Sequence, residues 1–271
     1  NPNGYSFIPK WKAVKGSEMY ESDLLYNETG FLKEKDAKEF LENNLKFYGN
    51  PIDLKVDDVK VTEKKETAPL LFSLGELQKF CSKKYHISPD ETLNIAQSLY
   101  EKKMTTYPRT DARVLSSAVA KDLEQKLGKK VPAKYIDDSA ITDHYAIIPT
   151  FQNHLNQCND LEKQVFNDIM LRFKAIFMPA YVYDSIAITL KAESGEKFFT
   201  TEKTEKQLGW KGLYQEDKTL VISKIPDKGD VLPSIMSINP MQTKPPVAYT
   251  TGTLIEAMEK AGKFIDDDEL K

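Results

Sequence analysis

Tyr107-Pro108-Arg109, inside the stretch Met104-Thr105-Thr106-Tyr107-Pro108-Arg109-Thr110-Asp111-Ala112-Arg113, puts a phenol beside a guanidinium on one short segment. Proline removes a backbone donor and pushes the residue before it toward extended geometry, so Tyr107 is expected on non-helical backbone. That is a way to present an attacking oxygen to a phosphodiester. A free phenol has a pKa near about 10, so it attacks poorly until its proton is removed or shared. Cleaving a phosphodiester also loads negative charge onto the phosphate and the departing oxygen, which calls for fixed cations and commonly a metal. Arg109 offers a planar fork that donates two parallel hydrogen bonds to phosphate oxygens and never loses its charge. Taken alone, a Tyr-Pro pair marks a turn and the arginine beside it a surface position.

The residues around this pair carry weaker signals. Asp111 either orients Arg109 or His144 through a charge-assisted hydrogen bond or caps the approach to the next helix. Thr110 supports the backbone rather than reacting, and Arg113 reads equally as a phosphate contact and as a solvated side chain. His144 is one of three histidines, and His86 and His154 are read as structural. A lone histidine is more often structural too, so His144 needs its flanking residues to argue for more. Lys244-Pro245-Pro246 makes a rigid extended approach to a final helix, with Lys244 a candidate phosphate contact. The run Asp266-Asp267-Asp268-Glu269 is read as a solvated acidic patch, not a metal site.

The whole-chain figures bound the possibilities. A chain of 271 residues with 40% apolar content can bury a real core as one large or two smaller domains. A net charge of −3 argues against a free-standing high-affinity DNA binder, because such affinity comes from neutralising phosphates with Lys and Arg. A local cluster of Lys102, Lys103, Arg109 and Arg113 can still line one groove while acids cover the remaining surface. No apolar run approaches the roughly 20 residues needed to span a bilayer. The two cysteines, Cys81 and Cys158, have no zinc spacing and are too few for a disulfide framework, which reads as reduced thiols in a cytoplasmic setting. There is no Walker A loop and no Ser-His-Asp arrangement.

The elements that must hold Tyr107 follow from local signals. A short amphipathic helix is expected at 35–45, a strand at 51–62, and a charged linker at 60–67. Ser73-Leu74-Gly75-Glu76 has the form of a capping box and opens a helix to about Lys84. Ser88-Pro89-Asp90-Glu91 opens another, running to about Lys102 with Leu93, Ala96, Leu99 and Tyr100 inward. Ser116 caps a third helix, with Val119, Leu123 and Leu127 on one face, that Gly128 stops. Tyr107 therefore sits on a connector between two helices. Beyond it, Asn159 and Glu162 cap a longer helix at 160–178, and the period changes to two over 181–190, with a return at 197–201. Strand-like runs follow at 219–225 and 231–238, and a last helix from Thr250 or Thr251 to about Gly262.

Four segments in order, Pro69 to Gln78, Met104 to Ser116, Ile141-Thr142-Asp143-His144-Tyr145-Ala146-Ile147-Ile148-Pro149-Thr150, and Thr243-Lys244-Pro245-Pro246 with Tyr249-Thr250, resemble the type IA DNA topoisomerases, topoisomerase III in particular. Gly209-Trp210-Lys211-Gly212-Leu213-Tyr214 is similar to an element of that family's strand-rich arch. Residues 1–68 match only weakly. The resemblance implies an α+β fold: a gate arch at 1–68 and 152–236, an inserted helical domain at 69–151 carrying the active-site tyrosine, and the start of a further DNA-binding domain at 237–271. It implies that Tyr107 attacks the backbone phosphorus, with Arg109, His144 and Asp111 as its catalytic company, and that Thr110, Arg113, Tyr145 and Lys244 contact DNA. Where many relatives have serine or cysteine this chain has Ala112, and where many have a second histidine it has Tyr145, which can instead stack on a base. The implied ion is Mg2+, bound in a toprim domain outside this stretch, which leaves the stretch alone inactive. The implied partners are single-stranded DNA and a helicase, for a monomer with no membrane contact. The competing reading is a non-catalytic module derived from such an enzyme that binds single-stranded nucleic acid or protein.

Overall fold

The computed structural model describes residues 7–214 and 225–259. The expected strand from Thr219, the helix end at Gly262 and the acidic run 266–269 lie outside the described residues. The chain divides into two compact units.

The first unit takes in the residues through Lys65, Val182–Leu208 and 225–244. Its sheet joins β1 (Lys10–Trp11), β4 (Ile52–Glu66), β5 (Tyr181–Lys191), β6 (Lys197–Gln207) and β7 (Val231–Ser234) in the order β1-β6-β5-β4-β7. Strands β2 (Leu25–Asn27) and β3 (Gly30–Phe31) form a separate small pair, followed by helix α1 (Glu34–Asn43). Alternation along β5 buries Ile186, Ile188 and Leu190, which meet Leu54 and Val56 of β4 and Phe40 of α1 in one core. Val182 leaves that face because the β5–β6 register slips between Val182 and Tyr183. The hairpin closes at Gly195, whose φ of +95° only glycine adopts readily. Two sequence-based bounds were too short. The stretch expected as a charged linker is the far half of β4, and β6 runs on to Gln207. Charges do not end a strand whose side chains pair across the sheet, and Lys206 of β6 bridges Asp184 of the adjacent β5 at 2.9 Å and Glu63 of β4 beyond it at 3.3 Å.

The second unit comprises Glu66–Tyr181, 209–214 and 245–259. It is built from α2 (Leu74–Tyr85), α3 (Pro89–Glu101), α4 (Ser117–Leu127), α5 (Asp160–Ala175) and α6 (Thr251–Glu259). The expected caps form: Ser73, Ser88 and Ser116 each accept a hydrogen bond from the third residue of their helix, and Gly128 ends α4 at φ +64°. At α2 the box is only half made, because the Glu76 carboxylate turns to Arg113, 3.0 Å away. Tyr100 is exposed rather than inward, since the buried face of α3 is Thr92, Ile95, Ala96 and Leu99. Helix α5 packs on α3 and so belongs with this second unit, which passes to the first at Tyr181/Val182.

Buried charge ties α5 to its neighbours. Glu162 completes the capping box of α5 and also accepts from Lys102 at 2.7 Å and Ser98 at 2.5 Å. Burial alone would push its carboxyl up, but the bonds from Lys102, Ser98 and the Asn159 backbone outweigh it and hold Glu162 below the ordinary carboxylate value. A lowered folded pKa adds stability that is complete above the ordinary value and lost as pH falls through the folded one. Acid melts from pH 6 to pH 3 should therefore show a part of the Tm loss, about 2–4 °C, that vanishes in Glu162→Gln. An identical acid slope in the variant would remove Glu162 from this account. Asp168 accepts from Lys84 at 2.6 Å and from the Tyr85 hydroxyl. Both cysteines are buried and unpaired, and burial, with Asp168 nearby, pushes the Cys81 thiol up to about 12.

Candidate active site

Tyr107 lies on the connector between α3 and α4. Helix α3 ends at Lys102, Lys103 turns the chain through φ +59°, and the Met104 amide bonds back to the Leu99 carbonyl at 2.9 Å. Met104 and Thr105 are then buried, at 0% and 2% exposure, which fixes the segment two residues before the tyrosine. The neighbouring strand of backbone is 146–150. Thr105 pairs with Pro149, the Thr106 amide donates to the Ile148 carbonyl at 2.9 Å, and the Thr150 amide donates to the Met104 carbonyl at 3.0 Å. The Thr106 hydroxyl adds a second clasp, donating to the Ala146 carbonyl at 3.1 Å and accepting from the Ile148 amide at 3.0 Å. On the far side of Pro108, the Thr110 hydroxyl donates to the His144 carbonyl at 2.7 Å and accepts from the Ala112 amide at 3.1 Å.

These clasps set His144 against Tyr107, with ring centroids 4.4 Å apart and planes at 47°. Tyr100 meets the other side of the phenol edge-on at 5.4 Å and 81°. Tyr107 is half-buried, and its hydroxyl makes no hydrogen bond to the described residues. The ring faces a cleft of about 500 Å³ whose walls include Tyr100, Glu101, Lys103, Thr106, His144 and Tyr145. This is an open, aromatic-lined recess with one cation, Lys103, and one acid, Glu101, in its walls, and its aromatic faces suit a nucleotide base.

The remaining sequence candidates divide. Thr110 is 7% exposed and spends its hydroxyl on the backbone, so it positions His144 and is not available to DNA in this arrangement. Arg113 donates to the Leu71 carbonyl at 3.3 Å and pairs with Glu76, and Lys102 pairs with Glu162. The expected four-cation groove therefore keeps two side chains, Lys103 and Arg109, that are exposed and without an ion pair among the described residues. Arg109 lies outside the cleft lining. Asp111 is exposed and hydrogen-bonds to neither His144 nor Arg109. Lys244 is exposed on an extended stretch of the other unit. Sequence reasoning missed Tyr100 and Glu101 as cleft residues and the Thr106 clasp. The signal for Tyr100 was its position just outside the i, i+3, i+4, i+7 face of α3, one residue after Leu99. Among the described residues no three His, Cys, Asp or Glu side chains come together to hold a metal ion.

A family model described as DNA topoisomerase matches residues 8–262. The chain belongs to that family, in its type IA branch. DNA topoisomerase 3 of Bacillus subtilis strain 168 is 35% identical over 79% of this chain and 33% of its own length. DNA topoisomerase 3 of Bacillus licheniformis is 34% identical over 78% of this chain and 33% of its own. The chain thus spans about a third of these topoisomerases. Full-length topoisomerase I from Thermotoga maritima superimposes with a TM-score of 0.68, covering 94% of this chain and 45% of that one, at 24% identity. That likeness concerns the fold, and it agrees with the α+β arrangement read from the residues.

Proposed function

We propose that this chain is the part of a type IA topoisomerase in which Tyr107 cleaves and rejoins one DNA strand to change DNA topology without ATP. The single observation that carries the reading is the half-buried phenol of Tyr107 packed against His144 in an open cleft, within a chain of that family. In the proposed step the phenolic oxygen attacks phosphorus and loses its proton. The P–Oη bond forms as the P–O3′ bond breaks, and the upstream strand leaves with a 3′-hydroxyl. Reversal by that hydroxyl restores the strand, so the bond energy is stored and returned. His144 is the group placed to share the phenolic proton or to hold the scissile phosphate, and Arg109 is exposed and free to close on the phosphate when DNA enters. Asp111 would act only after a movement that brings it to one of them, and Arg113 and Thr110 would act as supports. Tyr145, half-buried on the cleft wall, is placed to stack on a base.

The wider reading keeps Mg2+ as the ion of the whole enzyme, held by residues outside this chain, and single-stranded DNA as the substrate, with a helicase as partner. It also keeps a monomeric, cytoplasmic protein with an arch at 1–68 and 152–236, a tyrosine domain at 69–151, and Lys244 on a DNA-contacting segment. No helix among the described residues is long and apolar enough to cross a membrane.

The test is a single-stranded oligonucleotide labelled at one end or the other and mixed with the intact enzyme that contains this chain, and Mg2+. A 3′-end label should remain on the protein through denaturing electrophoresis while a 5′-end label is released. Retention of the 5′ label instead, or of neither, would refute the proposed linkage. Arg109→Ala should slow cleavage about 10²-fold, the usual cost of removing one fixed donor to developing charge. An unchanged rate would make Arg109 a bystander.

A further inference from the structure

A second cleft adjoins the first. It has a volume of about 350 Å³ and is lined by Val119, Leu123, Tyr145, Ile148, Pro149 and Phe151. Thr106, Tyr145 and Thr150 line both clefts, so the Tyr145 ring is a partition between two neighbouring recesses on one path. The floor of the second is the buried core itself, where Leu123, Ile148 and Phe173 meet. Phe151 is the unusual member. Its backbone sits at φ +67°, a conformation that costs a bulky side chain energy, and its ring is nevertheless 46% exposed. The ring is braced edge-on by Phe173, at 5.8 Å and 68°. The charged members of its lining among the described residues, Asp122 and Lys126, neutralise each other at 2.7 Å.

The geometry points to a nucleobase subsite: the cleft between Tyr145 and Phe151 takes the base of the nucleotide next to the one whose phosphate meets Tyr107. This rests on the proposed DNA-cleaving function. Continuity through Tyr145 sets the occupant, since a strand laid along the first cleft must pass the partition, and an apolar floor with an aromatic wall suits a flat base face. The neutral rim leaves the phosphates to Arg109 and Lys103. Stacking on an aromatic ring is tolerant of base identity, so the subsite adds affinity and register more than sequence choice.

The experiment places 2-aminopurine, whose fluorescence is quenched on stacking, at each successive position of a single-stranded oligonucleotide and measures binding by anisotropy as well. Quenching should appear at two adjacent positions. In Phe151→Asn, chosen because asparagine accepts this backbone conformation well, one of the two should lose its quenching and affinity should fall about tenfold, while Phe151→Tyr retains both. An abasic site at that position should cost the native chain the same factor and cost Phe151→Asn nothing. Thermal melts of both variants report whether the fold survives. Native-like binding, quenching and abasic penalty in a folded Phe151→Asn would overturn the subsite while leaving Tyr107 chemistry standing. A native protein that binds no oligonucleotide would overturn both readings.

Discussion

Tyr107→Phe is expected to abolish covalent attachment to DNA, by at least about four orders of magnitude, while melting within a degree or two of the native protein. The two halves of that expectation have separate causes. The phenylalanine ring keeps the packing against Tyr100 and His144, and the lost hydroxyl has no hydrogen bond to the described residues, so folding gives up almost nothing. The proposed reaction would lose its attacking oxygen, and the other two tyrosines of the cleft, Tyr100 and Tyr145, stand on different segments. Labelled adducts on a denaturing gel and a thermal melt together provide the check. Adducts formed by a folded Tyr107→Phe protein would remove Tyr107 as the nucleophile.

Gly209→Ala should cost about 3–4 kcal/mol of stability, the largest effect expected from any single methyl in the described residues. A Cβ at Gly209 would stand 2.3 Å from the Ala180 carbonyl oxygen and 2.4 Å from that of Pro179, and these are backbone atoms that cannot swing aside. The φ of +51° adds strain for any side chain. The close approach has a purpose, because it lets the Trp210 amide donate to the Pro179 carbonyl at 3.0 Å and the indole nitrogen to the Glu66 carbonyl at 2.9 Å. Lys211 then pairs with Glu66 at 2.7 Å and covers the Tyr181 ring at 3.8 Å. Gly195→Ala serves as the control. It also has a positive φ, +95°, but its Cβ would meet nothing within 4 Å. Urea melts of the two variants should differ clearly in midpoint. Equal midpoints would mean that the backbone near Gly209 gives way more easily than its contacts imply.

Much of the frame around Tyr107 was legible because its signals are local. Ser88 with Pro89, Ser116 with Gly128, and Asn159 with Glu162 each act on backbone groups three or four residues away, and each formed as expected. Pro108 fixed the non-helical connector in the same local way. The failures among the charged residues involve a partner distant in the chain. The Glu76 carboxylate left its capping box for Arg113, Lys102 was taken by Glu162, and the charged end of β4 stayed in the sheet beside Lys206. A charge read from sequence looks solvated until its partner is known.

The residues by themselves determined the starts of the capped helices α2 to α5, the strand alternation, the placement of Tyr107 between helices and the family to which the chain belongs, while α1 and α5 end at Asn43 and Ala175, short of the expected 45 and 178. Tertiary structure decided which side chains share the cleft. Thr110 and His144 are 34 positions apart, and only the pairing of 104–106 with 146–150 brings them within 2.7 Å. The same closure put Tyr100 and Phe151 on the cleft walls and took Arg113 and Lys102 away from them. The division has one physical reason. Turns, caps and periodicity are set by torsions and hydrogen bonds within a few residues, whereas the meeting of remote segments depends on how the whole core packs when the chain closes on itself.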